Sequence, residues 1–300
     1  MEGGMSWLFF LHVFLLSMMA KAPCTDAWGK QGHYMVCKIA EQYLTKRASD
    51  AVLDLLPPAA EGELASVCSW ADQVRFRYRW ASPLHYANTP GVCNFKYSRD
   101  CHNSKDELNM CVVGAINNYT TQLLSYGDSS NGYNLTESIM FLAHFMGDVH
   151  QPMHVSFEDD EGGNTIIVRW YRRKSNLHHV WDVDMIETAM RDFYERDLVV
   201  MIESIQKNIT DGWSDEVSQW KACHGDSVTC ADKYASESIR LACDYAYKEV
   251  DEGSTLEDDY FFSRLPVVEK RIAQGGVRLA ALLNRIFSKK IEGEDLKSVD

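Results

Sequence analysis

Four metal-capable side chains crowd the stretch His144-Phe145-Met146-Gly147-Asp148-Val149-His150-Gln151-Pro152-Met153-His154. On an α-helix His144 and Asp148 stand about one turn apart and project from one face, where an imidazole and a carboxylate can grip one cation. Pro152 interrupts that helix, so His154 is expected to leave the axis and return toward the site from a loop. The same i,i+4 pair recurs at His178 and Asp182. One such pair is commonplace on a solvated helix, but a cluster on repeated spacing is rarer. Asp72, His85, His33 and, if the N-terminus is trimmed, the α-amino group of Trp28 complete the candidates. Zinc accepts imidazole and carboxylate donors and keeps a position for water in catalytic sites. No His-Glu-x-x-His is present, which argues against the common zinc-peptidase arrangement.

The elements that must position these residues are mostly helical. Met35, Val36, Ile39, Ala40 and Tyr43 recur at helical spacing over 33–44, and Leu64 to Arg77 reads as a second helix. The alternation Arg75-Phe76-Arg77-Tyr78-Arg79-Trp80 is equally compatible with a short strand. Residues 81–109 read as a long loop region pinned by Cys93 and Cys101, and helical pattern returns over 112–124. Asn134 with Glu137 resembles a capping box for a helix over 135–149 that is apolar nearly all round. A helix of that character belongs in the middle of a core, so His144 and Asp148 on it need partners. Gly162-Gly163 followed by Thr165 to Tyr171 suggests a small hairpin, the only convincing strand signal. Helices are expected over 183–205, 213–220, 231–248 and 267–287. No long-period repeat or interior linker appears. The fold class is therefore mainly α, a single compact multi-helix domain with a small β-hairpin.

The chain of 300 residues is 46% hydrophobic, enough for a substantial core. An apolar run from Trp7 to Ala20, too short to span a bilayer comfortably, precedes Thr25 and Ala27, small residues that fit a signal-peptidase site. Residues 1–27 are accordingly assigned as a signal peptide, 28–288 as the folded domain and 289–300 as a loose or trimmed tail. An uncleaved anchor is the alternative, because Glu2 is the only charge before the apolar run. Nine cysteines fall to eight when Cys24 leaves with the signal: Cys37, Cys68, Cys93, Cys101, Cys111, Cys223, Cys230 and Cys243. An even number without Cys-x-x-Cys fits disulfides formed in the secretory pathway, toward an extracellular or vacuolar destination. Sequons at Asn118, Asn134 and Asn208 are candidate glycan sites. The net charge of −13 argues against a general phosphate-binding surface. Three zinc ions would bring about six positive charges to one cleft of that acidic surface.

The Trp-Gly…His start, Trp70-Ala71-Asp72, Pro83-Leu84-His85-Tyr86, His144-x-x-x-Asp148-x-x-x-x-x-His154, Gly162-Gly163-Asn164 and Asn176-Leu177-His178-x-x-Trp181-Asp182 resemble the zinc-dependent single-strand-specific nucleases, above all the plant bifunctional nucleases with 3′-nucleotidase activity. The resemblance runs almost end to end along the trimmed chain. It implies a mostly helical domain holding three Zn²⁺ ions, a fold related to zinc phospholipase C. Asp72, His85, His144 and Asp148 would hold one zinc; His154, His178 and Asp182 a second. The third would take the Trp28 amino nitrogen and carbonyl oxygen, His33 and the other oxygen of a bridging Asp148. His150 and His179 fall outside the pattern. The same resemblance suggests the disulfides Cys37–Cys68, Cys93–Cys243, Cys101–Cys111 and Cys223–Cys230.

These ligands imply in-line attack of a metal-activated water on phosphorus, with Asp72 orienting the water and Arg75 neutralising the phosphoryl group. The expected substrates are single-stranded DNA and RNA, cleaved to 5′-phosphorylated products, and 3′-nucleotides. A base must leave its stack to meet an aromatic platform beside a deep cluster, which disfavours duplexes. Tyr86 is the candidate platform and Asn88 and Asn164 are candidate base-edge partners. A monomer free of the membrane after signal cleavage is expected. The rivals are a zinc-dependent phospholipase C, which would lack use for a base pocket, and a catalytically silent metal-binding protein.

Overall fold

Met35, Val36, Ile39 and Ala40 give helix α1 (Gly29–Tyr43) one apolar side, and all four are buried. That side meets the last helix of the described chain. Their approach is close enough that a Cβ on Gly276 would lie 2.6 Å from the Ile39 Cβ. The computed structural model describes residues 28–223 and 227–288; the assigned signal segment, Cys24 with it, and the 289–300 tail lie outside the described residues.

Beyond α1 come α2 (Lys46–Leu55), α3 (Leu64–Val67) and α4 (Trp70–Val74). The helix expected over 64–77 is thus two short helices separated at Cys68 and Ser69, and the Arg75–Trp80 stretch is turn and 3₁₀-helix with no strand. The expected loop region over 81–109 contains order of its own: the 3₁₀ segment Arg79–His85, strand β1 (Ala87–Thr89) and α5 (Tyr97–Asp100). Helices α6 (Val112–Leu123) and α7 (Leu135–Asp148) pack together, and every residue of α7 from Ser138 onward is buried. Asn134 caps α7 by accepting from the Glu137 amide at 3.2 Å. The reciprocal half of a capping box is absent from the described bonds, and the Glu137 carboxylate instead accepts from the Tyr78 hydroxyl.

After α7 the chain turns at Pro152–His154 and enters β2 (Val155–Phe157), which pairs in parallel with β1, Ala87 opposite Val155. Strands this short carry no readable periodicity, so the pair escaped the sequence pattern. The expected strand segment forms β3 (Ile167–Trp170). Its hairpin partner is β4 (Arg173–Asn176), past the expected Thr165–Tyr171 stretch, and the chain turns at Tyr171 and Arg172 instead of at Gly162-Gly163. Strand β5 (Thr255–Leu256) runs alongside β3. The hairpin delivers the chain into α8 (Leu177–His179) and a π-helical turn, Val180–Asp184. The helix expected over 183–205 is interrupted: α9 (Met185–Phe193) and α10 (Leu198–Thr210) flank Glu195 and Arg196, both at positive φ. Next come α11 (Ser214–Lys221), α12 (Ala231–Leu241) with a second π-turn, and α13 (Asp258–Ile286). Helix α13 begins nine residues before the expected start at Val267, running through the exposed Pro266. A proline removes one helical hydrogen bond, and on an exposed face water can serve the freed carbonyl.

The result is one mainly helical domain with α7 surrounded by α1, α2, α4, α6 and α13. Disulfides join Cys37–Cys68, Cys93–Cys243, Cys101–Cys111 and Cys223–Cys230. Among the described residues no helix is long and apolar enough to cross a membrane. Asn118 and Asn134 are exposed, and Asn208 on α10 is half-buried.

Candidate metal centre

The end of α7 presents His144 and Asp148 to one point, as their spacing requires, and neighbouring elements bring the rest. His33 comes from α1, Asp72 from α4, and His85 from the end of the 3₁₀ segment before β1. Asp148 Oδ1 lies 3.2 Å from His33 Nε2, while its Oδ2 lies 3.1 Å from His85 Nδ1 and 3.3 Å from His144 Nε2. Asp72 Oδ1 is 3.5 Å from both His85 Nδ1 and His144 Nε2, and its Oδ2 is 4.0 Å from His33 Nε2. The β1–β2 pairing sets His154 beside this group, its Nδ1 2.6 Å from the His85 carbonyl. His178 Nε2 then stands 3.1 Å from His154 Nε2 and 3.1 Å from Asp182 Oδ2. Three sets, His33/His144/Asp148, Asp72/His85/His144 and His154/His178/Asp182, could each hold a metal ion.

The donor atoms fit a cation. Both oxygens of Asp72, both of Asp148 and Oδ2 of Asp182 are buried without a hydrogen-bond partner, as are both ring nitrogens of His33. An orphaned buried carboxylate is costly, and a coordinated metal removes that cost. The imidazoles are aimed as well. His144 Nδ1 meets the Cys68 carbonyl at 2.8 Å, and His178 Nδ1 the Gly162 carbonyl at 2.7 Å. A backbone carbonyl on Nδ1 leaves the Nε2 lone pair for a metal. The Cys37–Cys68 bridge ties the carbonyl that orients His144 to α1, the helix carrying His33. His33 itself stacks on His144, centroids 3.8 Å apart, and a Cβ on Gly147 would sit 2.7 Å from its Nδ1. Glycine is what lets that ring approach α7.

Burial opposes ionisation of Asp148, yet the charge of His144 beside it holds its carboxyl well below the usual carboxylate range. Asp72 is lowered in the same way, against its burial. Burial also works against protonation of His144 and His178, but Asp148 with Asp72 raises the first and Asp182 raises the second. His85 is lowered by burial, and His154 is pushed down to about 4 by burial with the His178 charge adding to it. The carboxylates are held anionic and burial keeps His85 and His154 neutral, as a divalent cation requires, while the proton that the carboxylates favour on His144 and His178 is one a bound cation would displace.

The remaining candidates fall around this core. Trp28 is fully buried; its indole donates to the Gly147 carbonyl at 2.9 Å and its backbone N–H to Asp182 Oδ1 at 3.2 Å. Its carbonyl accepts from Gly32 at 3.0 Å. Arg75 Nη1 lies 3.8 Å from Asp72 Oδ1 at the half-buried rim. Burial raises the Tyr86 hydroxyl, with Arg75, Glu161 and Glu158 close enough to act on it electrostatically. Asn88 sits in β1 opposite Ser156, and Asn164 has a buried, unpartnered Oδ1. Gln151 was missed: its amide donates to Asp182 Oδ1 and accepts from the Met153 N–H at 2.5 Å. No spacing rule distinguishes such a glutamine. His150 lies on the far side of the α7 end, its Nε2 3.1 Å from an Arg278 nitrogen, and burial followed by Arg271 and Arg278 drives it well below the usual imidazole range. The half-buried His179 has its backbone amide capped by Asn176.

Residues 28–288 match the family model described as S1/P1 Nuclease. The chain belongs to the S1/P1 nuclease family. It is similar to Endonuclease 2 of Arabidopsis thaliana, 55% identical over 284 residues, covering 92% of this chain and 98% of that protein. Endonuclease 4 of the same plant is 55% identical over 287 residues, 94% and 95% of the two chains. Nuclease P1 of Penicillium citrinum is 31% identical over 282 residues, 88% and 99% of the two. As an S1/P1 nuclease the protein is an endonuclease, a phosphodiesterase hydrolase, and its buried His/Asp clusters fit a metal-dependent member of that family.

Proposed function

We propose that the protein is a secreted, three-zinc endonuclease that hydrolyses single-stranded DNA and RNA to 5′-phosphorylated products and also removes phosphate from 3′-nucleotides. Asp148 carries this reading: a fully buried carboxylate with both oxygens unpartnered, one beside His33 and the other beside His85 and His144, suits a bridge between two ions. Asp72, His85, His144 and Asp148 would hold one zinc, and His154, His178 and Asp182 the second. His33, Asp148 and the Trp28 amine and carbonyl would hold the third. An amide N–H is a poor zinc ligand and a free amine a good one, so removal of residues 1–27 would complete that site. Once bound, zinc supplies an activated water and neutralises charge on phosphoryl oxygens.

The protein's own groups do the rest. Arg75, at the rim beside Asp72, would bind a non-bridging phosphoryl oxygen, and Asp72 would orient the attacking water. Tyr86, immediately after His85, would offer a face for an unstacked base, with Asn88 and Asn164 as the candidate base-edge partners. The Asn164 Oδ1, which has no hydrogen-bond partner, supports its choice as an acceptor. Exposed Asn118 and Asn134 and the half-buried Asn208 would carry glycans. The domain would be residues 28–288, with 289–300 a loose or trimmed tail.

Zinc content, acid-soluble nucleotide release from denatured DNA and phosphate release from 3′-AMP, measured on one purified sample beginning at Trp28, test the reading. Three zinc ions with both activities are expected. Fewer than three tightly bound ions without phosphate release would overturn it, and phosphatidylcholine hydrolysis without nucleotide release would replace it by a phospholipase.

A further inference from the structure

Two arginines of α13, Arg271 and Arg278, are only 2% and 1% exposed. Seven residues apart on a helix, they share a face, and both guanidinium groups reach the back of the α7 end. Burying a guanidinium is expensive unless its donors are met, and here they are. Arg271 donates to the His150 carbonyl at 3.0 Å, Ser238 Oγ at 2.7 Å, Gln274 at 2.6 Å and Glu237 at 2.9 Å. Arg278 makes two bonds to Glu237, at 2.6 and 2.9 Å, meets His150 Nε2 at 3.1 Å and stacks on the Tyr234 ring.

These contacts converge on the segment that carries the metal candidates. A guanidinium only donates, so His150 Nε2 is an acceptor and its Nδ1 carries the proton given to the Met146 carbonyl, 2.7 Å away. Ser238 Oγ donates to the Val149 carbonyl at 2.6 Å. Three carbonyls at the end of α7, of Met146, Val149 and His150, are thereby held from α12, α13 and the His150 ring. Cationic donors there also suit the negative end of the helix. Asp148 lies inside this fixed stretch, and Gln151, the next residue after it, bonds to Asp182.

We propose that Arg271 and Arg278 are positioning residues for the metal centre, holding Asp148 through the clamped α7 end and Asp182 through Gln151. The proposal rests on the metal reading above. Arg264 is the internal control. It lies on the same helix, is 8% exposed, and spends its donors on the Tyr245 and Lys248 carbonyls and Ser263, with no contact to the α7 end.

The test uses the protein beginning at Trp28, with Arg271→Met, Arg278→Met, Arg264→Met and, should a methionine variant fail to fold, Arg271→Lys and Arg278→Lys. Chelator competition for zinc, the visible spectrum after cobalt substitution, and kcat and KM on a 3′-nucleotide are read at a temperature where each variant is folded. The Arg271 and Arg278 variants are expected to bind zinc about 10- to 100-fold more weakly. Their cobalt spectra should change, and kcat should fall with KM within about twofold. Lysine, which keeps the charge but loses the fork, should restore part of each effect. Arg264→Met should leave zinc affinity and spectrum as in the wild type. Unchanged zinc affinity and spectrum in the folded Arg271 and Arg278 variants, or equal changes in Arg264→Met, would overturn the positioning role alone. A wild-type protein that binds no zinc would overturn the metal reading and this inference together.

Discussion

Two buried polar clusters lie on opposite sides of the α7 end, and they differ in whether their atoms are satisfied. On one side Asp72 and Asp148 keep all four carboxylate oxygens without a hydrogen bond. On the other, Glu237 receives three bonds from two guanidinium groups whose remaining donors meet carbonyls, Ser238, Gln274 and the His150 ring. Arg271 and Arg278 are as buried as Asp72 and Asp148, although Glu237 between them keeps 24% of its side chain exposed, so desolvation alone does not separate a site from a scaffold. The orphaned set needs a ligand the polypeptide does not supply; the satisfied set needs none, and serves best by not moving.

The largest expected effect breaks that contrast directly. Asp148→Ala should lower nuclease activity by on the order of 10³-fold, several kcal/mol of charge stabilisation, because on the proposed reading one carboxylate would serve two ions. His33→Ala should cost on the order of tenfold, and equal or reversed losses in side-by-side kinetics would remove the bridge. Stability should rank the other way. In metal-free protein Glu237→Gln is expected to lose about 3–5 kcal/mol by denaturant titration, since it leaves two guanidinium groups without their counter-charge. Asp148→Asn should lose less. Glu237 is half-buried, which opposes its ionisation, but Arg278 and Arg271 lower its carboxyl below the ordinary value of 4.5. Its stabilisation is therefore present above pH 4.5 and disappears as pH falls through the lower folded value, and the glutamine variant should lack that segment of the pH–stability curve.

Tyr86→Ala comes next, with about 1–3 kcal/mol lost on strands and 3′-nucleotides if one base stacks there. A loss no larger than that of Tyr86→Phe would argue against stacking. The smallest effect belongs to Glu269, on the same helix as the arginines but, among the described residues, hydrogen-bonded to the Tyr194 hydroxyl alone. Burial raises its carboxyl above 4.5, so the native state holds a proton the unfolded chain has released and stability falls as pH rises through the folded value. Glu269→Gln should raise the melting temperature slightly at pH 7 and leave it unchanged at pH 4; a decrease at pH 7 would contradict this.

The sequence carried the orphaned cluster far better than the satisfied one. His144/Asp148 and His178/Asp182 are legible because one helical turn is a local rule, and α7 was legible because it is apolar on every side. Arg271, Arg278 and Gln151 were not, since their partners lie on other elements: Arg271 reaches His150 across 121 positions. Elements failed for local reasons too. No glycine marks the break at Glu195 and Arg196, Pro266 hid the first turns of α13, and three-residue β1 and β2 are too short for alternation to register. Of the hairpin before His178, β3 was legible because Ile167, Val168 and Trp170 are β-branched or aromatic, while β4, Arg173-Lys174-Ser175-Asn176, carries no strand signal.

The pairing of α1 with α13 also sets a timetable. During synthesis the chain appears from its N-terminus at about 5–20 residues per second. The candidate ligands, Trp28 through Asp182, therefore emerge well before Arg271 and Arg278, and α1 must wait for Gly276 before its long neighbour can close on it. A ribosome-bound chain stopped short of α13 would expose the apolar side of α1 and hold an unclamped α7 end. Nuclease activity should then appear only late, after most of the polypeptide has been made and released.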